Sequence, residues 1–138
     1  GHLQTGEGMT TVVEDWEKIK YFKPKEFLCK CSMCKKDQGI SFILVQILDR
    51  MRNDMGFPFK ITSGFRCLQH PQSKEGKSSH ARGFAVDIFC KDSIKRFNLL
   101  EYVMKRQIFK RIGIGMDFIH LDIDDSPDKG QRVMWTYY

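Results

Sequence analysis

Residues 78–87 read SSHARGFAVD, and this stretch decides how the rest of the chain is interpreted. His80 stands in a polar loop, and the apolar run that follows has the length and composition of a β-strand. Asp87 interrupts that strand, where a buried carboxylate without a partner would be costly. It is therefore hard to explain as a solvated surface group. Gly83 fits a tight turn between the two residues, at a point where a side chain would obstruct their approach.

Helices are predicted on both sides of this strand. Apolar residues recur at helical spacing from Ile40 to Met55, and Gly56 follows as the stop signal. A second helix is predicted to begin with Ser93 as its cap and to run to about Gln107. The predicted strands are residues 59–62, 85–89, 111–116, 118–123 and 131–137. This pattern indicates an α+β fold in which helices flank a central antiparallel sheet.

Length and composition indicate a single globular domain. The chain has 138 residues, of which 41% are apolar and 29% charged, which is typical of a soluble protein with a modest core. We predict one domain over residues 13–138, after a polar, Gly-rich segment 1–12 that is a disordered lead-in or a tag remnant. No stretch approaches the ~20 apolar residues that a membrane helix needs.

The chain is basic, with 23 Lys and Arg against 17 Asp and Glu and a net charge of +6. Seven of the lysines lie between Lys18 and Lys36. Such a face suits a polyanion, although a solvated surface that aids solubility explains it equally well. Because aromatic residues do not alternate with these lysines, charge alone does not indicate nucleic-acid binding, and no nucleic-acid partner is predicted.

His80, Asp87 and His120 are the candidate metal ligands. A catalytic zinc takes about three nitrogen or oxygen donors from the protein and keeps one position open for water. Hydrolysis also needs a group that accepts a proton from that water, and Asp117, three residues before His120, is the candidate general base and acid. Since residues three apart on a regular strand point to opposite faces, Asp117 reaches the site only if the chain bends near Gly115.

Asp122 leaves two interpretations open. It shares a strand face with His120 and would orient the second ring nitrogen of that histidine. It is equally the start of an acidic run with Asp124, Asp125 and Asp128, for which we favour a solvated loop.

Together these motifs resemble the zinc D-Ala-D-Ala carboxypeptidase family. SSHARGFAVD fits the pattern S-x-H-x-x-G-x-A-x-D, and DFIH (117–120) fits an acidic residue, two others and then His. ITSGFRCLQHP (61–71) is similar to the S-G-[YF]-R motif of that family, and FKPKEFLCKCSMC (22–34) to the lead-in of a small bacterial and prophage branch. The family includes vancomycin-resistance dipeptidases and the L-alanyl-D-glutamate endopeptidases of phage endolysins, and it shares its fold with the hedgehog signalling domain.

The resemblance implies specific roles for individual residues. His80, Asp87 and His120 would hold zinc, and Asp117 would take the place of the catalytic acidic residue. Arg66 would hydrogen-bond the scissile carbonyl oxygen. Ser78 and Ser63 would contact the substrate.

The resemblance also implies that this is a zinc peptidase acting on peptidoglycan peptide stems, and we expect a monomer. The bond cut is D-Ala-D-Ala or L-Ala-D-Glu, and the sequence does not choose between them. The alternative is an inactive, zinc-stabilised binding module of the same fold. The odd number of cysteines, which leaves at least one unpaired, slightly favours cytoplasmic synthesis with holin-type release over export.

Five cysteines carry a separate hypothesis. Cys29, Cys31 and Cys34 combine C-x-C with C-x-x-C, a spacing found in structural zinc sites, and Cys67 or His70 would be the fourth ligand. For these cysteines we favour a disulfide or reduced thiols over a second zinc site. Cys90, at the end of the apolar strand, is predicted to be a core residue.

Overall fold

The computed structural model describes residues 13–31, 39–74 and 76–138. Its α+β architecture confirms the predicted fold class. The predicted lead-in, residues 1–12, lies outside the described residues. Short 3₁₀ helices span Val13–Lys18, Pro24–Phe27 and Pro71–Ser73. The helices are α1 (Phe42–Met55) and α2 (Ser93–Arg106), and the strands are β1 (Lys60–Ser63), β2 (Ala85–Phe89), β3 (Arg111–Ile114), β4 (Phe118–Asp122) and β5 (Val133–Thr136).

The strands form one sheet in the order β1-β2-β4-β3-β5. Three of the neighbouring pairs are antiparallel, but β3 and β5 are parallel, so the sheet is mixed where an antiparallel one was predicted. The chain reverses after β4, whose two edges are already occupied by β2 and β3. β5 therefore pairs with the outer edge of β3, where its direction is parallel to that strand.

Both helices begin and end with recognisable caps. The Ser41 hydroxyl accepts a hydrogen bond from the Leu44 N–H at the start of α1, and Gly56 ends that helix in the left-handed conformation. The cap of α2 is Asp92, whose carboxylate accepts from the Lys95 N–H, and not Ser93 as predicted. No helix among the described residues has the length and apolarity needed to cross a membrane.

The two-residue period of the strands separates the core from the opposite face of the sheet. Val86 and Ile88 of β2 and Ile119 and Leu121 of β4 are buried in one apolar cluster with residues of both helices. The residues between them, including Asp87 opposite His120, point to the other face. The helices therefore cover one face of the sheet, and the candidate ligands lie on the other.

Candidate metal centre

The loop before β2 holds His80 in one orientation. The backbone N–H of His80 donates to the Ser78 hydroxyl oxygen at 3.1 Å, and its ring Nδ1 lies 2.8 Å from the Gly64 carbonyl oxygen. A carbonyl oxygen only accepts hydrogen bonds, so Nδ1 carries the proton. In the neutral ring, Nε2 therefore has the free lone pair that binds metals.

Two acidic residues of the 122–128 segment hold the same loop in place. Asp124 accepts from the Ser79 hydroxyl at 2.7 Å and is fully buried, so the predicted solvated role is wrong for this residue. The Arg82 guanidinium forms two hydrogen bonds to the exposed Asp128, at 2.9 and 3.0 Å. This bidentate ion pair ties the loop to the segment that follows β4.

Gly83 has no room for a side chain. Its φ is +82°, and a Cβ there would lie 2.1 Å from the Gly39 carbonyl oxygen. We expect Gly83→Ala to lower the free energy of unfolding by about 3 kcal/mol, because left-handed backbone costs an L-residue ~1–2 kcal/mol and overpacking adds ~1–3 kcal/mol. Urea titration monitored by circular dichroism measures the loss.

Gly56→Ala is the matched control for this substitution. Gly56 has a similar φ of +77°, but a Cβ there meets nothing within 4 Å. Its loss should be confined to the backbone cost, about 1–2 kcal/mol. Equal losses in the two variants would contradict the steric explanation for Gly83.

Three donor atoms converge on the site face of the sheet. Asp87 Oδ1 lies 3.3 Å from His80 Nε2 and 2.9 Å from His120 Nδ1, and one possible ligand atom from each of the three residues lies within 4.8 Å of the other two. All three residues are buried. Antiparallel pairing of β2 with β4 places Asp87 directly opposite His120, and the loop brings His80 to them.

The charges around these residues favour a cation. Burial alone would raise the pKa of Asp87, but the interactions of its carboxylate with His120 and His80 outweigh burial and hold that pKa well below its usual range. Burial lowers the pKa of His80 and outweighs the interaction with Asp87, which acts to raise it. For His120 burial acts in the same direction, but hydrogen bonds with Asp122 and Asp87 prevail and raise its pKa.

The three residues fit a zinc ion. Zinc bonds of about 2.0–2.1 Å to nitrogen and oxygen place neighbouring donors of a tetrahedron about 3.3–3.4 Å apart. The 3.3 Å between His80 Nε2 and Asp87 Oδ1 agrees with this value, and the 2.9 Å to His120 is a few tenths shorter. Two imidazoles and one carboxylate also form a donor set that is common in catalytic zinc sites.

Asp122 orients His120 from behind. Its Oδ2 lies 2.6 Å from His120 Nε2, and its Oδ1 accepts from Arg111 Nε at 2.8 Å. The carboxylate is completely buried. Of the two interpretations of Asp122, the geometry supports the orienting one, since with a proton on Nε2 the neutral ring directs the Nδ1 lone pair towards Asp87 and His80.

Asp117 does not join these residues. It lies in the exposed turn between β3 and β4, and its backbone carbonyl accepts from the Cys90 N–H at 2.8 Å. Gly115 does turn the chain, through a bond from its N–H to the Phe118 carbonyl. That turn closes before β4, however, and the strand then alternates regularly, so Asp117 is kept off the face of His120.

Arg66, Ser63 and Ser78 line one cavity with the three candidate ligands. The cavity has a volume of about 880 Å³. The Arg66 guanidinium lies 3.7 Å from Asp87 Oδ2, too far for a hydrogen bond, so its N–H groups remain available to a bound molecule. Ser63 follows an irregularity in the β1–β2 pairing and stands opposite Asp87.

The aromatic part of the cavity lining was not predicted from the sequence. It includes Trp135 of β5 and Tyr137 just after it, whose ring centroids lie 5.3 and 6.4 Å from that of His120. Gly113 leaves space for both rings, because a Cβ there would come within 2.8 Å of each. The spacing of Trp135 and Tyr137, two residues apart, predicts that both rings lie on the same face of a strand. It does not show that this is the cavity face until the partner strand is known.

Cys29, Cys31 and Cys67 meet in a second buried cluster. Cys34, the other predicted member, lies outside the described residues. His70, the alternative ligand, instead caps the 3₁₀ helix Pro71–Ser73, since its Nδ1 accepts from the Gln72 N–H at 3.1 Å. Cys90 is buried in the main core, as predicted.

Comparison with known proteins gives one match. The sequence model of a family described as peptidase M15 matches residues 20–122, which is more than half of the chain. The matched range contains all three candidate ligands together with Arg66 and Asp122. No curated protein and no solved structure gives a match.

Proposed function

The chain belongs to the peptidase M15 family, and from this we propose that it is a zinc metallopeptidase that cuts peptide stems of bacterial peptidoglycan. The observation that carries the proposal is the convergence of His80, Asp87 and His120 on one point beside Arg66. When bound there, zinc would polarise the scissile carbonyl and lower the pKa of a water molecule.

The surrounding residues position the ligands, stabilise developing charge and contact the substrate in this proposal. Ser78 and the Gly64 carbonyl fix the loop and ring of His80, while Asp122 fixes His120. We assign to Arg66 the hydrogen bond that opposes negative charge developing on the carbonyl oxygen. We assign substrate contacts to Ser63 and Ser78, which line the same cavity.

The charge of the cavity supports an acidic peptide as substrate. Among the residues that the structure describes, two carboxylates line it, Asp87 and Asp122, and both face histidines. The cationic side chains in its lining are more numerous: Lys30, Arg66, Lys74, Arg111 and Lys129. Peptidoglycan stems carry free carboxylates, which such a lining attracts.

Digestion of purified peptidoglycan, followed by mass spectrometry of the muropeptides, tests the proposal. Loss of one D-Ala would identify a D-Ala-D-Ala carboxypeptidase, and separation of L-Ala from D-Glu would identify an endopeptidase. The His80→Ala variant is the control for contaminating hydrolases. A zinc-loaded protein that leaves every peptide stem intact would contradict the proposal and favour a binding module of the same fold.

Substitution of Arg66 should affect turnover and spare the metal. We expect Arg66→Ala to lower kcat by about 100–1000-fold, the usual cost of removing a donor to the developing oxyanion. Its zinc content should equal that of the wild type, because Arg66 supplies no ligand atom. Steady-state hydrolysis of a muropeptide, with parallel metal analysis, measures both quantities.

Arg50→Ala is the control for the lost charge, since Arg50 is exposed on α1 and does not line the cavity. Arg66→Lys should recover little activity, because lysine lacks the planar fork of donors. An Arg66→Ala variant with wild-type kcat would remove Arg66 from the mechanism.

A further inference from the structure

A second group of metal-ligating side chains lies outside the proposed catalytic site. The sulfur of Cys31 is 3.5 Å from that of Cys29 and 3.4 Å from that of Cys67. All three residues are buried, and Phe65 packs against them. None of them is among the residues that line the large cavity.

The sulfur distances fit shared coordination. A disulfide requires about 2.05 Å between sulfurs, which is far shorter than either distance. Zinc–sulfur bonds of about 2.3 Å place neighbouring thiolates of a tetrahedron about 3.8 Å apart, so 3.4 and 3.5 Å are only a few tenths short. In addition, the backbone N–H of Cys67 donates to the Cys29 sulfur at 3.3 Å, as is common around metal-bound thiolates.

The cluster joins two segments that are distant in sequence. Cys31 and Cys67 are separated by 36 positions. The same segments also meet through the Phe65 N–H, which donates to the Phe27 carbonyl at 3.0 Å, and through Lys30 Nζ, which donates to the Ile61 carbonyl at 3.1 Å. Since the chain is already held together here, a metal would find its ligands preassembled.

We propose that Cys29, Cys31 and Cys67 bind a structural zinc ion, separate from the ion proposed at His80, Asp87 and His120. Three clustered soft thiolates select zinc over the hard cations magnesium and calcium. The two positive charges of the ion would offset the negative charge of three neighbouring thiolates.

The position of the cluster also assigns a purpose to this zinc. Cys67 directly follows Arg66, so fixing the cysteine fixes the backbone from which the guanidinium reaches the cavity. The ion fastens the segment containing Cys29 and Cys31 against β1 and the Arg66 loop.

Metal analysis of protein purified under reducing conditions tests the proposal without any activity assay. We expect two zinc ions per chain in the wild type and one in His80→Ala. Cys67→Ser should also hold one. Cobalt substitution identifies which site remains, because thiolate ligands give cobalt a strong near-ultraviolet charge-transfer band that histidine and carboxylate ligands do not. The band should persist in His80→Ala and vanish in Cys67→Ser.

Cys90→Ser is the matched control, because Cys90 is equally buried but belongs to the main core. It should keep both zinc ions and the cobalt band. If Cys67→Ser does not fold, the His80→Ala protein still decides the question through its own zinc content and spectrum. A His80→Ala protein without zinc and without the cobalt band would overturn the proposal, as would a disulfide detected by mass spectrometry of the purified protein.

The two metal proposals fail in different ways. If only the cysteine proposal is wrong, the wild type holds one zinc per chain and shows no thiolate band, and muropeptide hydrolysis still depends on His80. If only the proposed peptidase activity is wrong, the cobalt-substituted protein still shows the thiolate band, but the protein does not cut peptidoglycan.

Discussion

His80→Ala is expected to reduce muropeptide hydrolysis by about a thousandfold or more, because a metal site that activates water loses one of its three protein ligands. The substitution removes the Nε2 atom that would bind the metal, which lies 3.3 Å from Asp87 Oδ1, and the hydrogen bond from Nδ1 to the Gly64 carbonyl. Asp87 keeps His120 and Arg66 as partners, so the sheet should remain folded. Zinc content, hydrolysis rate and circular dichroism, measured on one preparation, check the three parts of this expectation.

His70→Ala is the control for loss of a histidine. His70 also lines the cavity, but its Nδ1 accepts from the Gln72 N–H and it is not one of the three convergent donors. This variant should keep the full zinc content. A His80→Ala protein that still binds zinc in the His–Asp site and still cuts peptidoglycan would refute the assignment of His80 as a ligand.

The second large effect is expected at Asp122. Asp122→Asn keeps the shape of the side chain but removes the charge that faces His120 Nε2 and Arg111 Nε. Loss of such an orienting partner typically lowers metal affinity by about 10–100-fold. We therefore expect activity to fall at limiting zinc and to recover in part at saturating zinc. Hydrolysis measured across a zinc titration separates this behaviour from a purely structural defect, which added zinc would not repair.

Asp117→Asn is the matched control, because it removes the same charge five residues away in an exposed turn. It should have wild-type activity and zinc affinity. The opposite result, with an inactive Asp117 variant and an unaffected Asp122 variant, would restore the role that the family motif implies for Asp117 and remove the one proposed for Asp122.

Much of the candidate site could be predicted because its chemistry is local in sequence. SSHARGFAVD combines a histidine, a turn glycine and a strand aspartate, and strand alternation alone places Asp87 on a defined face. Asp117 shows the limit of this reasoning. Its spacing to His120 fitted a motif, but the side on which it lies depends on where the β3–β4 turn closes.

The sequence by itself determined the α+β class, the approximate bounds of both helices and the choice of His80, Asp87 and His120 as candidate metal ligands. These depend on periodicity and on short motifs, in which neighbouring residues restrict one another directly. Only the tertiary structure decided that β5 lies parallel to β3, that Trp135 and Tyr137 form a wall of the cavity, and that Cys67 meets Cys29 and Cys31. Each of these depends on a contact between distant segments, which is fixed by strand pairing and by burial of the shared core and not by any local pattern.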